Sequence, residues 1–212
     1  MKKINRSNAP TCLTRYGAAN LWSELCSNDR AIIWQQLDQM QNGFCAYCEC
    51  KLKKKHIEHF RTRKNYRHLT FTWFNLFGSC DYKTRCGHFK DSNKTFPYSP
   101  DEIIKPDSDD PEEYLRFLTN GMVRPIEDID AVKKRKAQET IRVFNLIGDP
   151  SLVNSRRSAL KNELKNILAL YDLIDSISFD DFKELLSDEL STVEDREYRT
   201  ALEHAWKFNE SY

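Results

Sequence analysis

Two pairs of cysteines form the clearest chemical pattern in this sequence. Cys45 and Cys48 make a C-x-x-C turn, and Cys80 and Cys86 follow later in the chain. Two thiolates from one tight turn occupy half of a tetrahedral zinc site, so a second pair completes it. The four cysteines therefore predict a structural zinc centre. Cys50 stays open as a replacement for Cys48, because it lies on the same short segment.

A histidine, an asparagine and a second histidine lie between the cysteine pairs and just after them. They are His59, Asn75 and His88. A histidine can act as a general base near neutral pH, an amide can fix its orientation, and a further histidine can bind a divalent cation. Each residue alone is more often structural than catalytic. The ordered set beside a zinc centre nevertheless favours catalysis.

The charges are unevenly distributed, although the formal net charge is only +1. Residues 51–100 contain 12 lysines and arginines against three acidic residues, whereas residues 101–212 contain 16 against 25. A basic block beside candidate catalytic residues favours a phosphate-bearing partner, because phosphate neutralisation supplies most nonspecific affinity for nucleic acid. The block consists of Lys53, Lys54, Lys55, Arg61, Arg63, Lys64, Arg67, Lys83, Arg85, Lys90 and Lys94.

The acidic C-terminal part has a different expected role. An acidic surface repels nucleic acid, so the amphipathic helices from Asp130 to Tyr212 need some other surface to cover. We expect them to form a docking surface for a partner protein.

The cysteine count and the hydropathy pattern indicate a cellular compartment. Seven cysteines are an odd number, and the basic start Met1–Arg6 is followed by no apolar leader segment. No stretch of the sequence approaches the length needed to cross a bilayer. We therefore expect a cytoplasmic protein that does not bind a membrane, with thiols that are reduced and used for metal binding or buried.

The hydrophobic pattern predicts a mainly α fold of the α+β class. Helical spacing is found within residues 17–42, 130–146, 152–171, 179–190 and 194–208. Asn120-Gly121 predicts a hairpin over residues 114–124, because Asn-Gly favours the positive φ angles of a tight turn. We divide the chain into N-terminal helices (1–42), a zinc-stapled core (43–100) and a hairpin with C-terminal helices (101–212).

A short strand predicted at residues 56–60 decides which candidate side chains share a face. Alternation puts His56 and Glu58 on one face and His59 on the other, unless a bulge or the strand end intervenes. His56 therefore stays open as an additional metal ligand beside Glu58.

Several short segments resemble the motif of zinc-stabilised HNH endonucleases, which have the ββα-metal fold. They are Cys45–Cys48, Glu58-His59, Asn75-Leu76, Cys80 and Cys86–Lys90. The wider pattern HIEHFRTRK, WFNLFGSC and CGHFKD is similar to the PtuB family of HNH nuclease subunits from Septu and retron-associated anti-phage systems. This resemblance implies a small ββα core and phosphodiester cleavage in DNA or RNA. It also implies a PtuA-like ATPase subunit as partner and, in retron versions, a reverse transcriptase with its DNA–RNA product.

The resemblance implies a role for each motif residue. His59 is the expected general base, Asn75 orients it, and His88 binds a catalytic Mg²⁺ or Mn²⁺ together with Glu58. Nucleic acid is expected to contact Arg61, Arg63, Lys64 and Lys90. Two positions depart from the common pattern, because Glu58 stands where aspartate is usual and the second cysteine pair is C-x5-C.

The main alternative is a noncatalytic module. A zinc knuckle that only binds nucleic acid, or an adaptor that only docks a partner, would need the cysteines. Neither would need Glu58, His59, Asn75 and His88 together.

Overall fold

The computed structural model describes residues 1–92 and 96–208, so Lys94 of the predicted basic block lies outside the described residues. The fold is mainly helical with two small antiparallel sheets, which confirms the predicted class. The α-helices are α1 (Ser27–Gln41), α2 (Cys86–Lys90), α3 (Ala131–Val143), α4 (Pro150–Tyr171), α5 (Phe179–Thr192) and α6 (Arg199–Phe208). The strands are β1 (Lys55–His59), β2 (Leu76–Cys80), β3 (Leu115–Phe117) and β4 (Val123–Pro125).

Strands β1 and β2 and helix α2 form the unit that contains most of the candidate residues. The two strands are antiparallel, with His56 opposite Ser79 and His59 opposite Leu76. Helix α2 begins directly after the loop that follows β2, so the chain order is strand, strand, helix. The unit therefore has the element order that a ββα core requires.

Helix α1 fixes β2 through its last residue. The side chain of Gln41 accepts a hydrogen bond from Gly78 N at 2.8 Å and donates one to Gly78 O at 2.9 Å. The helix ends where the sequence predicted, because Asn42 takes the left-handed conformation and Gly43 follows with φ +72°. Ile33 and Leu37 of α1 pack in one cluster with residues of β1 and β2.

The predicted hairpin is present as β3 and β4. Gly121 lies in its turn with φ +86°, and a Cβ there would lie 2.4 Å from Val153 O. A side chain is therefore excluded both by the backbone conformation and by the closeness of α4.

The C-terminal helices pack directly on residues 44–50, the segment that carries Cys45 and Cys48 and is named here the zinc knuckle. The ring of Tyr47 stacks on Phe144 with centroids 3.9 Å apart, and Tyr198 N donates to Glu49 O at 3.1 Å. The Glu49 carboxylate accepts from Thr200 Oγ1 at 2.6 Å. One hydrophobic cluster thus contains residues from all three predicted regions. The boundaries at 42/43 and 100/101 remain predictions.

Among the described residues, the helices are all too short or too polar to cross a lipid bilayer.

Candidate metal centres

The four predicted cysteines lie together in the core. The Sγ atoms of Cys45, Cys48, Cys80 and Cys86 are all within 4.8 Å of one another, and all four residues are buried. Two thiolates at the usual Zn–S distance of about 2.3 Å can be no more than about 4.6 Å apart. The separation of 3.9 Å between the Sγ atoms of Cys48 and Cys80 meets this condition. The donor set fits a closed zinc site.

Cys50 is next to this group but outside it. Its Sγ lies 3.4 Å from that of Cys48, and its carbonyl oxygen accepts a hydrogen bond from Cys45 N at 2.9 Å. This backbone hydrogen bond closes the turn between Cys45 and Cys50. The group of four sulfur atoms contains Cys48 and not Cys50. Cys48 Sγ donates to Cys50 Sγ, and Cys50 stays open as an alternative ligand to Cys48.

The thiolate form is favoured at Cys45 and Cys80, whereas the pKa values of Cys48 and Cys86 are raised, at Cys48 mainly by a hydrogen bond with Cys45 and at Cys86 mainly by burial. Burial acts to raise the pKa of Cys45, but hydrogen bonds from Cys48 and Cys50 outweigh it and lower the pKa well below its usual value. Zinc binds the thiolate form of cysteine, so metal binding would displace the protons that Cys48 and Cys86 hold.

A second group of side chains that can bind a metal comes from β1, from the residue after β2 and from α2. Ligand atoms of His56, Asp81 and His88 are within 4.8 Å of one another, and the group is accessible to solvent. The two imidazole rings stack with centroids 3.9 Å apart, and His88 Nε2 hydrogen-bonds to the Asp81 carboxylate. His56 Nδ1 is buried and, within the described part of the chain, has no hydrogen-bond partner. This nitrogen lies 3.9 Å from an Asp81 carboxylate oxygen, and a ring nitrogen free of hydrogen bonds beside a carboxylate fits a metal ligand.

Glu58 lies directly behind this group. Its Oε2 is 3.4 Å from His56 Nε2, and its Oε1 is 2.8 Å from Lys90 Nζ. Burial acts to raise the pKa of Glu58, but the charge of Lys90 and hydrogen bonds from His56 and Lys90 together outweigh it and lower the pKa. Gly87 allows this approach, because a Cβ there would lie 2.2 Å from Glu58 Oε2.

His59 lies on the opposite face of β1. The ring is 4% exposed and meets the edge of the Trp22 ring, with centroids 4.5 Å apart. Its Nε2 is 3.0 Å from the carbonyl oxygen of Thr70. Because a carbonyl only accepts, Nε2 is assigned the proton and Nδ1 is the basic nitrogen. Burial lowers the pKa of His59 to about 4, so the ring is neutral at neutral pH.

Asn75 holds the loop that follows His59. Its Oδ1 accepts from Arg61 N at 2.7 Å, and its Nδ2 donates to Arg61 O at 3.0 Å and Leu69 O at 3.1 Å. These contacts are with backbone atoms of the loop. Asn75 therefore fixes the position of His59 through the chain and not through a bond to the imidazole.

The predicted nucleic-acid contacts differ in accessibility. Arg63 and Lys64 are exposed, and Arg61 is half-buried in an ion pair with Asp101. Lys90 is only 2% exposed, and its ammonium contacts Glu58 and the carbonyl oxygen of His59. The expected phosphate contact of Lys90 is therefore corrected to a buried ion pair.

The structure brings together His56, His88 and Glu58, whereas His59 lies on the other face of β1 and Asn75 contacts the loop that follows it. Asp81 was missed by sequence reasoning, because an acidic residue beside Cys80 has no distinguishing pattern. Because β1 and β2 are paired with Lys55 opposite Cys80, Asp81 lies close to His56 and His88. Gly87 was missed as well, although a glycine next to a metal-binding cysteine was an available signal.

Comparison with known proteins agrees with the resemblance seen in the sequence. A Septu protein PtuB from Bacillus thuringiensis is 30% identical over 127 residues, which cover 56% of this chain and 47% of that protein. The chain is similar to PtuB. A second Septu protein PtuB, from Bacillus mycoides, is 29% identical over 166 residues, covering 63% of this chain and 53% of that protein. The chain thus spans about half the length of these PtuB relatives, and no protein-family model matches it.

Proposed function

We propose that this chain is a metal-dependent HNH-type endonuclease that cleaves phosphodiester bonds in nucleic acid as part of a Septu defence complex. The observation that carries the proposal is the pair of ligand groups on one ββα unit. One is closed and made of four thiols, and the other is accessible and made of His56, Asp81 and His88. The similarity to PtuB supports the biological setting.

The cysteine group would hold a structural zinc ion. Four protein ligands leave zinc with no open coordination position for substrate, so this ion would stabilise the fold and take no part in catalysis. The knuckle it closes carries the chain into β1, and Cys86 opens α2. Zinc would therefore fix both elements that hold the second ligand group.

The second group would hold the catalytic Mg²⁺ or Mn²⁺. A divalent cation in such a site stabilises the negative charge that develops on the phosphate and on the leaving oxygen. His56, Asp81 and His88 supply the ligands, and Glu58 adds a carboxylate oxygen 3.4 Å behind His56. Lys90 keeps that carboxylate ionised and in place.

His59 would take a proton from the attacking water. The Thr70 carbonyl holds Nε2–H, which leaves Nδ1 as the base, and Asn75 fixes the loop beside it. His59 is the last residue of β1, so a phosphate lying across the end of the strand would reach both faces. Arg61, Arg63 and Lys64 follow at this end and would bind neighbouring phosphates.

The alternative base is His56, which is half-buried beside the metal group. The test is cleavage of DNA and RNA panels by His59→Ala and His56→Ala variants, with Mg²⁺ or Mn²⁺ and with the zinc content measured in each. The proposal expects His59→Ala to lose cleavage by at least about 100-fold while zinc and nucleic-acid binding persist. Retained activity in His59→Ala with loss in His56→Ala would move the base to His56.

One observation favours the noncatalytic alternative, a zinc-knuckle or adaptor module. His59 is buried beneath Trp22, and a catalytic base must reach water. Wild-type protein that binds nucleic acid but leaves every panel member intact, alone and with its neighbours in the genome, would establish this second function.

The proposed partner is a PtuA-like ATPase subunit, and in a retron version a reverse transcriptase with its DNA–RNA product. The end of α4, the residues that follow it and the first half of α5 expose several large apolar side chains. They are Leu168, Leu173, Ile174, Phe179 and Leu185. An exposed apolar group of this size suits a protein interface. The acidic residues of α5 would repel nucleic acid from it.

A further inference from the structure

A groove of about 990 Å³ lies between the zinc knuckle and α4. One wall is the loop that leads into β1, and the other is the exposed face of α4. The groove is lined by Lys51, Lys53, Lys54, Asp81, Tyr82 and polar residues of α4, among others. This groove is separate from the face that carries His59 and Trp22.

The loop wall is basic. Lys51, Lys53 and Lys54 are exposed, and their ammonium groups have no ion-pair partner among the described residues. One acidic side chain of the groove, Glu197, is engaged by Lys51 N at 2.7 Å. The other, Asp81, is bound by His88. The three ammonium groups are therefore free to neutralise phosphates.

The helix wall is polar and uncharged. Ser151, Asn154, Ser155 and Ser158 follow one another at helical spacing and line the groove together. Hydroxyl and amide groups are common donors to phosphate and sugar oxygens. A stripe of four such residues opposite three lysines suits a sugar–phosphate backbone better than a protein surface.

Tyr82 supplies an aromatic surface at the end of the groove nearest the metal group. Its side chain is 51% exposed, and one face of its ring is covered by the Arg85 guanidinium at 3.8 Å from the centroid. Asp149 holds Arg85 at 3.0 Å, so the ring is supported from behind. The open face is a stacking platform, and an unpaired base fits it.

We infer that this groove binds single-stranded nucleic acid and leads its backbone to the His56–Asp81–His88 group. Asp81 connects the two, because it lines the groove and also belongs to the metal group. A single strand fits because a base paired in a duplex cannot offer its face to Tyr82. The inference rests on the proposed nuclease function and adds the substrate class and its path.

The test is fluorescence anisotropy with labelled oligothymidylate and oligouridylate of about 15 nucleotides and with a matched duplex, without divalent cations so that nothing is cleaved. Replacing Lys51, Lys53 and Lys54 by alanine should weaken single-strand binding and make the plot of log K against log salt shallower by about 2, since each phosphate contact contributes about 0.7. The two probes distinguish DNA from RNA. Tyr82→Ala should bind roughly tenfold more weakly, whereas Tyr82→Phe should bind like wild type.

A second lysine triple variant is the matched control. Lys134, Lys183 and Lys207 are exposed and lie outside the groove, so their replacement by alanine removes the same charge. Equal salt slopes for the two triple variants, or tighter binding of the duplex than of both single strands, would overturn the groove assignment. If wild type still cleaves nucleic acid in that case, the nuclease proposal survives. Wild type that neither binds nor cleaves would overturn both.

Discussion

The Lys90 ammonium lies 2.8 Å from the Glu58 carboxylate, and each residue is only 2% exposed. This ion pair joins α2 to β1 next to the group formed by His56, Asp81 and His88. A buried charge without its partner is costly, because neither water nor another charge replaces what is lost. Lys90 therefore acts on the candidate site by positioning Glu58, and the pair determines what its substitution will do.

Lys90→Ala should lower the free energy of unfolding by about 3–5 kcal/mol, because it leaves the Glu58 carboxylate buried without its ammonium partner, with only the longer contact to His56 remaining. Chemical denaturation followed by circular dichroism measures this. Lys83→Ala is the control, since Lys83 is 74% exposed and its loss should cost less than about 0.5 kcal/mol. A Lys90→Ala protein as stable as wild type, with a shallower salt dependence of nucleic-acid binding, would restore the original expectation of a phosphate contact.

Purified protein should contain one zinc ion per chain, measured by elemental analysis. Cys48→Ser should lose the metal and melt at a lower temperature, because binding of structural zinc contributes directly to folding. Cys50→Ser should keep the metal, since Cys50 lies outside the group of four.

Cys26→Ser controls for general effects of removing a thiol. Cys26 is exposed and caps α1 by accepting from Asp29 N, a role that serine also fills. It should keep both zinc and stability. Loss of zinc from Cys50→Ser but not from Cys48→Ser would show that Cys50, and not Cys48, is the fourth ligand.

The sequence predicted the parts of the site that follow from local rules. Cysteine spacing located the thiol group, and strand alternation separated His56 and Glu58 from His59. Long-range contacts were beyond such rules. Charge alone did not show that Lys90 is buried, because its partner lies on another element. The cover of Trp22 over His59 likewise depends on how an N-terminal turn folds back on β1.

Asn75→Ala should destabilise the fold by about 3 kcal/mol, since it removes three hydrogen bonds between a buried side chain and the backbone of the loop that follows His59. Denaturation at pH 7.5 measures the change. Asn75→Asp should restore only part of the loss, because it keeps the acceptor for Arg61 N but places a carboxylate oxygen against the Leu69 carbonyl. Wild-type stability in Asn75→Ala would leave Asn75 free for a direct catalytic role.

His204 should make stability depend on pH. It is 3% exposed, and its Nδ1 accepts from Phe117 N at 3.0 Å. Burial, together with the positive charges of Arg116, the N-terminal ammonium and Lys207, lowers its pKa to about 3, while Glu203 acts in the opposite direction. Because the folded pKa lies below the unfolded value of 6.5, the stabilisation is present above about pH 6.5 and is lost as the pH falls towards 3.

His204→Gln isolates this contribution, since glutamine can still accept from Phe117 N but does not titrate. Wild type should lose about 2 kcal/mol more than His204→Gln between pH 7.5 and pH 5. Zinc must be measured at each pH, because acid also releases the metal. Parallel pH curves for the two proteins would show that His204 titrates normally.

The exposed apolar end of α4 and α5 should be the surface that binds the PtuA-like subunit. A test by deleting residues 150–212 is unsuitable, because α4 and α6 contribute Leu160 and Trp206 to the core. The double variant Leu173→Asp, Phe179→Asp changes only exposed side chains, so it should keep zinc and thermal stability. It should reduce co-purification with the ATPase subunit by at least about tenfold, because apolar anchors carry most interface energy. Val132→Asp, at an exposed apolar position on α3, is the control, and loss of the complex in that variant alone would move the interface to α3.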